Sequence, residues 1–184
     1  PFVGTDGYGN VYPGAQIPFG GIQISPDTDS RFYDAASGYK YNHLTLMGFS
    51  LTHLSGTGIP DLGDFLFIPG TGEMKLEPGT HEDPDQGYRS RYSHDKEWAS
   101  PNYYAVELAD YGVKAEMTSG VRSGMFRFTY PESDNAFIMI DMNHTLWQSC
   151  EWSNLRMIND STITGYKLVK GWGPERHVLS LIHI

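Results

Sequence analysis

The chain is 184 residues long, 39% hydrophobic and 14% aromatic, with a formal net charge of −9. That length suits one globular domain or a large part of one, and the acidic balance argues against nucleic acid as a partner, because phosphate binding needs a basic face. No apolar run approaches the roughly 20 residues of a membrane-spanning helix, and the single cysteine, Cys150, excludes an internal disulfide framework and reads as a reduced core thiol.

The chain opens on a loop rich in glycine and proline that leads into Ile22-Gln-Ile-Ser-Pro-Asp-Thr28. Gly4-x-x-Gly7-x-Gly9 has the spacing of a nucleotide-binding glycine loop. It lacks the preceding strand, and Pro13 interrupts the helix that should follow. Leu46 to Leu51 reads as a strand, and Phe65 to Ile68 as a second apolar run. Between them, Thr52 to Asp64 packs hydroxyl, imidazole and carboxylate groups onto a tight glycine-punctuated loop, the kind of segment on which a rigid scaffold holds binding residues. Residues 70 to 87 are polar and turn-rich, a surface excursion whose acidic cluster is a solvated face.

Period-two alternation then dominates. Tyr104, Val106 and Leu108 share a face, Asp110-Tyr-Gly112 turns the chain, and Val113, Ala115 and Met117 return as a hairpin. Phe126, Phe128 and Tyr130 alternate with Arg127 and Thr129, and Pro131 to Asp134 supplies the next turn. Ala136 to Met142 reads as a strand buried on both faces, and Ile163 to Val169 as a strand with charges interleaved. No stretch sustains helical periodicity over three turns. The expectation is an all-β antiparallel β-sandwich with negligible helix.

His53, Asp61 and Asp64 admit three readings. A calcium site needs six or more oxygens. An acid/base pair needs carboxyls on opposite sides of a scissile bond, about 6.5–9.5 Å apart for inversion, and two aspartates on one tight loop are poorly placed for that. The residue types favour a hydrogen-bonded loop that holds its own turns and presents one or two groups to a ligand. No Gly-x-Ser-x-Gly nucleophile elbow occurs. Asn143-His-Thr145 and Asn159-Asp-Ser161 match the glycosylation triplet. Trp98, Trp147, Trp152 and Trp172 default to packing roles, with Trp98, in a turn-like stretch beside Glu97 and Pro101, the most exposed.

In this order the pieces resemble the N-terminal domain of family 92 glycoside hydrolases, which are calcium-dependent exo-acting α-mannosidases. The resemblance rests on Pro1-Phe-Val-Gly-Thr5, Gly7-Tyr-Gly-Asn10, Tyr12 to Gly20, Ser37-Gly-Tyr39 and the Thr52 to Asp64 loop. It continues through Ser90 to His94, Tyr103-Tyr104, Val113 to Thr118 and Gly171-Trp172, almost the whole chain. It implies a β-sandwich packed against a C-terminal (α/α)6 barrel within the same polypeptide. That barrel carries the general acid, the general base and the calcium, so no catalytic group and no metal ligand is assigned to this chain. It also implies that the two glycine-rich loops complete the wall of a sugar pocket, with Thr5, Asp6, Gly7, Tyr8 and Asn10 opposite His53, Thr57, Gly58 and Asp61. The implied partners are α-mannoside glycans, which the aromatic content suits, and the implied location is periplasmic or extracellular. Ile59 and Pro60 fall where members vary, so linkage preference stays open. A stand-alone carbohydrate-binding module and a purely structural sandwich are the alternatives.

The sandwich domain is expected over residues 1–178, incomplete at both ends, since Pro1 is not an initiating methionine and the family's sandwich is longer. Leu179-Ser-Leu-Ile-His-Ile184 reads as the translation of a common transposase sequencing adapter and is set aside as non-native. The competing reading of those six residues is a genuine apolar strand.

Overall fold

The computed structural model describes residues 2–30, 35–171 and 175–184. In chain order the first strands are β1 (Ser25–Asp27), β2 (Thr45–Leu46), β3 (Gly48–Ser50), β4 (Leu66–Thr71) and β5 (Ser90–Arg91). They are followed by β6 (Glu97–Ser100), β7 (Tyr103–Leu108), β8 (Val113–Ser119), β9 (Gly124–Thr129) and β10 (Ala136–Asp141). The last are β11 (Ser149–Asn159), β12 (Thr162–Lys170) and β13 (Arg176–His183). Every pairing among them is antiparallel. Among the described residues helix is confined to single 3₁₀ turns such as Pro84–Gln86 and His94–Lys96, so the all-β expectation holds.

Two four-stranded sheets form the sandwich, in the orders β6-β7-β8-β9 and β1-β3-β4-β10. In the first, register pairs Tyr104 with Met117, Val106 with Ala115 and Leu108 with Val113, so the alternating apolar residues of β7 and β8 meet on one face. Phe126 and Phe128 of β9 extend that face, lying opposite Met117 and Ala115. Across the interface Phe49 of β3 sits 6.4 and 6.3 Å from the Phe126 and Phe128 rings, and Phe67 of β4 sits 4.9 Å from Phe126. Each such side chain contributes about 1.5–3 kcal/mol on burial.

β4 is the strand covered on both sides. Phe67 faces the sandwich, while Leu66 and Ile68 face a second cluster with Met47 and Tyr88. The double burial expected of 136–142 belongs here instead. β10 is a strand as expected, but it pairs only with β4 at the sheet edge, and Ala136 and Ile138 remain exposed.

Strands β11, β12 and β13 make a third sheet, in which Gly165, Lys167 and Val169 are the buried residues of β12. β11 lay outside the sequence expectation because register shifts after Cys150 and Met157 break its alternation. Cys150 is half-buried on this strand rather than a core thiol, with its Sγ 3.6 Å from Trp152 O. Trp98, Trp147 and Trp152 are each about half exposed, so none is a core residue and Trp98 is not exceptional; Trp172 lies outside the described residues. Residues 179–183 continue the β13 ladder against β12, a pairing of main-chain groups that does not depend on side-chain identity. The 70–87 excursion is a surface segment, and its Asp85 shares Arg91 with Asp110 at 2.8 Å each.

Candidate functional site

The first glycine-rich loop folds back on itself. Val11 N donates to Gly4 O at 3.1 Å, and Gly9 passes so close that a Cβ on it would lie 2.2 Å from Gly4 O, which only glycine permits. Thr5 is buried beneath, donating to Phe2 O at 2.8 Å and accepting at its carbonyl from Tyr41 N at 2.9 Å. Lys40 Nζ donates to Gly7 O, and Asp6 Oδ1 caps Gly7 N at 2.8 Å. Tyr8 stands almost fully in solvent at 94% exposure. Asn10 is buried in left-handed backbone (φ 49°), and its Oδ1 has no hydrogen-bond partner among the described residues.

The second loop docks on the first. Gly56 N donates to Asn10 O at 2.7 Å, and the Tyr12 and His53 rings lie 5.1 Å apart. Thr57 Oγ1 donates to Ile59 O at 2.9 Å. At Gly7, Gly56 and Gly58 a Cβ would meet nothing within 4 Å, so the backbone of both loops is open at these points.

His53 points inward. Its Nδ1 lies 2.7 Å from Gln23 O and its Nε2 2.8 Å from Asp27 Oδ1. The Ser50 hydroxyl lies 3.1 Å from the same Nε2, so both ring nitrogens are engaged inside the protein. The other carboxylate oxygen of Asp27 receives His144 Nε2 at 2.8 Å. Asp27 is wholly buried at the end of β1. Burial alone would push its carboxyl up, but the charge and hydrogen bonds of His53 and His144 outweigh it and hold the group well below the usual carboxylate range. Gly38, at φ +84°, makes this approach possible: a Cβ there would lie 2.1 Å from Asp27 Oδ1.

Asp61 and Asp64 are held by the third sheet. Arg176 of β13 donates to Asp64 Oδ2 at 2.6 Å and approaches Asp61 Oδ1 at 3.5 Å. Lys167 of β12, with no exposed side-chain surface, sits 3.3 Å from Asp64 Oδ1 and donates to His144 O at 2.5 Å. Burial pushes the Lys167 ammonium down, and Asp64 opposes that shift. Thr52 Oγ1 adds a bond to Asp64 Oδ2 at 2.8 Å. Asp61 Oδ1 also takes Leu62 N at 2.6 Å and Gln148 Nε2, while its Oδ2 has no partner among the described residues.

The expected site residues thus divide. Asp6, Gly7, Tyr8 and Gly58 are exposed and Thr57 and Asp61 partly so, whereas Thr5, Asn10 and His53 lie beneath as supports. Sequence reasoning missed Asp27, His144, Lys167, Arg176 and Gln148. Only His144 had a local signal, as the middle of a glycosylation triplet, and it pointed elsewhere.

The family model described as the glycosyl hydrolase family 92 N-terminal domain matches residues 1–181. A curated relative, an uncharacterized secreted glycosidase of Arthroderma benhamiae, is 29% identical over 134 residues, 72% of this chain and 17% of its own. Among solved structures, the family GH92 alpha-mannosidase BT3965 from Bacteroides thetaiotaomicron is 99% identical with a TM-score of 0.96, covering 97% of this chain and 24% of that one. The same alpha-mannosidase has also been solved in complex with mannoimidazole. The gh92 family glycosyl hydrolase ccman5 is 28% identical with a TM-score of 0.79, over 98% of this chain and 25% of that one. This chain therefore spans a quarter or less of the length of each of these proteins.

Proposed function

This chain belongs to the family of glycosyl hydrolase family 92 N-terminal domains, and from that premise we propose that it serves an inverting exo-α-mannosidase. The parent enzyme removes terminal α-mannosyl residues from mannose-rich glycans. The observation that carries the reading is the joint between the loops at Gly56 N and Asn10 O, 2.7 Å apart. It brings two open, glycine-bearing segments together over a polar support, and the BT3965 complex with mannoimidazole supports a mannoside as the ligand.

In this reading the chain binds and orients the sugar, while acid, base and calcium reside in a barrel beyond these residues. Asp61 Oδ2 accepts a sugar hydroxyl, since Oδ1 is already taken by Leu62, Gln148 and Arg176. Main-chain groups at Gly7 and Gly58 and the Tyr8 ring offer further contacts. Calcium, when bound, would polarise sugar oxygens. Among the described residues no group of three or more His, Cys, Asp or Glu side chains is placed to hold a metal ion, so this chain alone does not fit the ion and no step here runs through it. The secreted fungal relative supports a periplasmic or extracellular location.

The test is kinetic. In the full-length enzyme, Tyr8→Ala, Thr57→Ala and Asp61→Asn are compared for mannose release from an aryl α-mannoside. Loss of one sugar contact lowers kcat/KM roughly tenfold. Parental kcat/KM in all three folded variants would remove the loops from the pocket, and no mannose release by the parent would remove the substrate class.

A further inference from the structure

The chain enters β6 through the 3₁₀ turn His94–Lys96, capped by the Ser93 hydroxyl, which accepts from Asp95 N at 3.3 Å. Residues three apart eclipse in such a turn, so His94 and Glu97 meet, with Nδ1 2.6 Å from Glu97 Oε2. The other ring nitrogen, Nε2, lies 2.7 Å from Tyr41 O, and the His94 and Tyr41 rings stack at 3.9 Å with their planes 7° apart. Glu97 has no exposed side-chain surface, and its Oε1 also accepts from Tyr104 OH at 2.5 Å and Tyr39 OH at 2.9 Å.

A main-chain carbonyl only accepts, so the contact with Tyr41 needs a proton on Nε2. The contact between Nδ1 and Oε2 needs one more, on whichever of the two atoms it rests. Without that shared proton the imidazole has a single N–H for two acceptors. The carboxylate, as the charged acceptor, takes it, and Tyr41 O is left without its donor. The other titratable groups around the ring do not make this change. Burial pushes the phenols of Tyr39, Tyr104 and Tyr92 above their usual range, so they stay donors; Tyr92, edge-on to His94 at 5.4 Å, bonds His43 O. Lys40 Nζ is turned to Gly7 O, Lys96 pairs with Glu107 at 2.5 Å, and Asp95 is exposed on the turn.

Tyr41 is the floor of the first glycine-rich loop. Its N donates to Thr5 O at 2.9 Å, its ring lies 5.5 Å from that of Phe2, and the neighbouring Lys40 reaches Gly7 O. We propose that the His94–Glu97 contact is a proton-dependent latch that holds Tyr41, and through it residues Thr5 to Gly9, in place. With the shared proton present the loop is pinned from beneath. As pH rises and that proton leaves, Tyr41 O loses its donor and the loop opens more often. The latch concerns the stability of the loop itself, so it goes beyond the activity proposed above and does not depend on it.

Amide hydrogen exchange in the full-length enzyme tests this, read as protection factors so that the intrinsic pH dependence of exchange is removed. From about pH 5 to 9, a range that spans imidazole titration, protection at the Tyr41 and Val11 amides should fall roughly tenfold, the effect of one hydrogen bond to a charged group. The β8 amides should keep theirs. His94→Gln retains a donor but cannot titrate, so the fall should vanish. His43→Gln should retain it, because that ring, on the same segment, is turned to Thr28 and His81. The same fall in His94→Gln, or its loss in His43→Gln, would overturn the latch. Flat protection in the unaltered enzyme would overturn it without any variant, so the test stands even if His94→Gln fails to fold.

Discussion

A carboxylate with no solvent exposure survives in its ionised form only where donors and positive charge replace the lost water. Asp27 has both, in two imidazoles at 2.8 Å each. Asp27→Asn should therefore cost about 3–5 kcal/mol, read from urea denaturation, because it removes the buried carboxylate that both imidazoles face. The pH dependence follows from the direction of the shift. The folded carboxyl titrates below its ordinary 3.8, so the unfolded chain takes up protons first as pH falls. Its stabilisation is complete above about that value and is lost progressively below it. Asp27→Asn should flatten this acid limb of a plot of urea midpoint against pH; an identical limb in the variant would remove Asp27 from the account. None of this was legible in the sequence, because His53 and His144 stand 26 and 117 positions from Asp27. Sequence placed His53 on the right loop but turned it towards the ligand, since an imidazole among glycines carries no mark of which way it faces.

At the level of elements, legibility tracked alternation. β7, β8 and β9 were readable because each shows one face to the core, and Leu108→Ala there should cost about 3 kcal/mol. Ile138→Ala on the half-open edge strand β10 should cost under about 1 kcal/mol. Equal losses in chemical denaturation would contradict this ranking of the two strands. β4 and β10 present similar apolar runs, and only strand order decides which is covered twice; sequence cannot rank them. The third sheet was half legible: β12 has its interleaved charges, but nothing local shows that Lys167 turns inward to meet Asp64. That pair, with Arg176, is what fastens the 52–64 loop to the third sheet. Lys167→Ala leaves Asp64 Oδ1 buried without its cation, at a cost of about 3 kcal/mol. The loss should be concentrated in the loop, as faster hydrogen exchange at residues 52–64 than in β8. Uniform acceleration across both would mean that the pair supports the sandwich as a whole.

For the whole molecule the decisive features are the third sheet and the dispersal of the carboxylates. β11 and β13 expose Leu155, Met157, Ile158 and Leu181, with Met157 at 68%, and exposed apolar surface favours association. The buried carboxylates Asp27, Asp29, Asp64, Glu97 and Glu116 are each engaged by neighbouring side chains. Asp61 and Asp64 share Arg176 from one side instead of facing each other across a cleft. General acid/base hydrolysis needs an acid and a base flanking the scissile bond within hydrogen-bond reach, an arrangement these groups do not offer. The 184-residue chain on its own is therefore expected to release no mannose from a synthetic α-mannoside and to self-associate through the third sheet. Product analysis after long incubation and light scattering of the purified chain test the two halves. Met157→Lys with Leu181→Lys should restore a monodisperse monomer without creating activity. If the unaltered chain were instead monomeric and turned over substrate above background, the catalytic groups would lie within these residues. Asp61, whose Oδ2 is the uncommitted oxygen of the loop pair, would then be the first to replace.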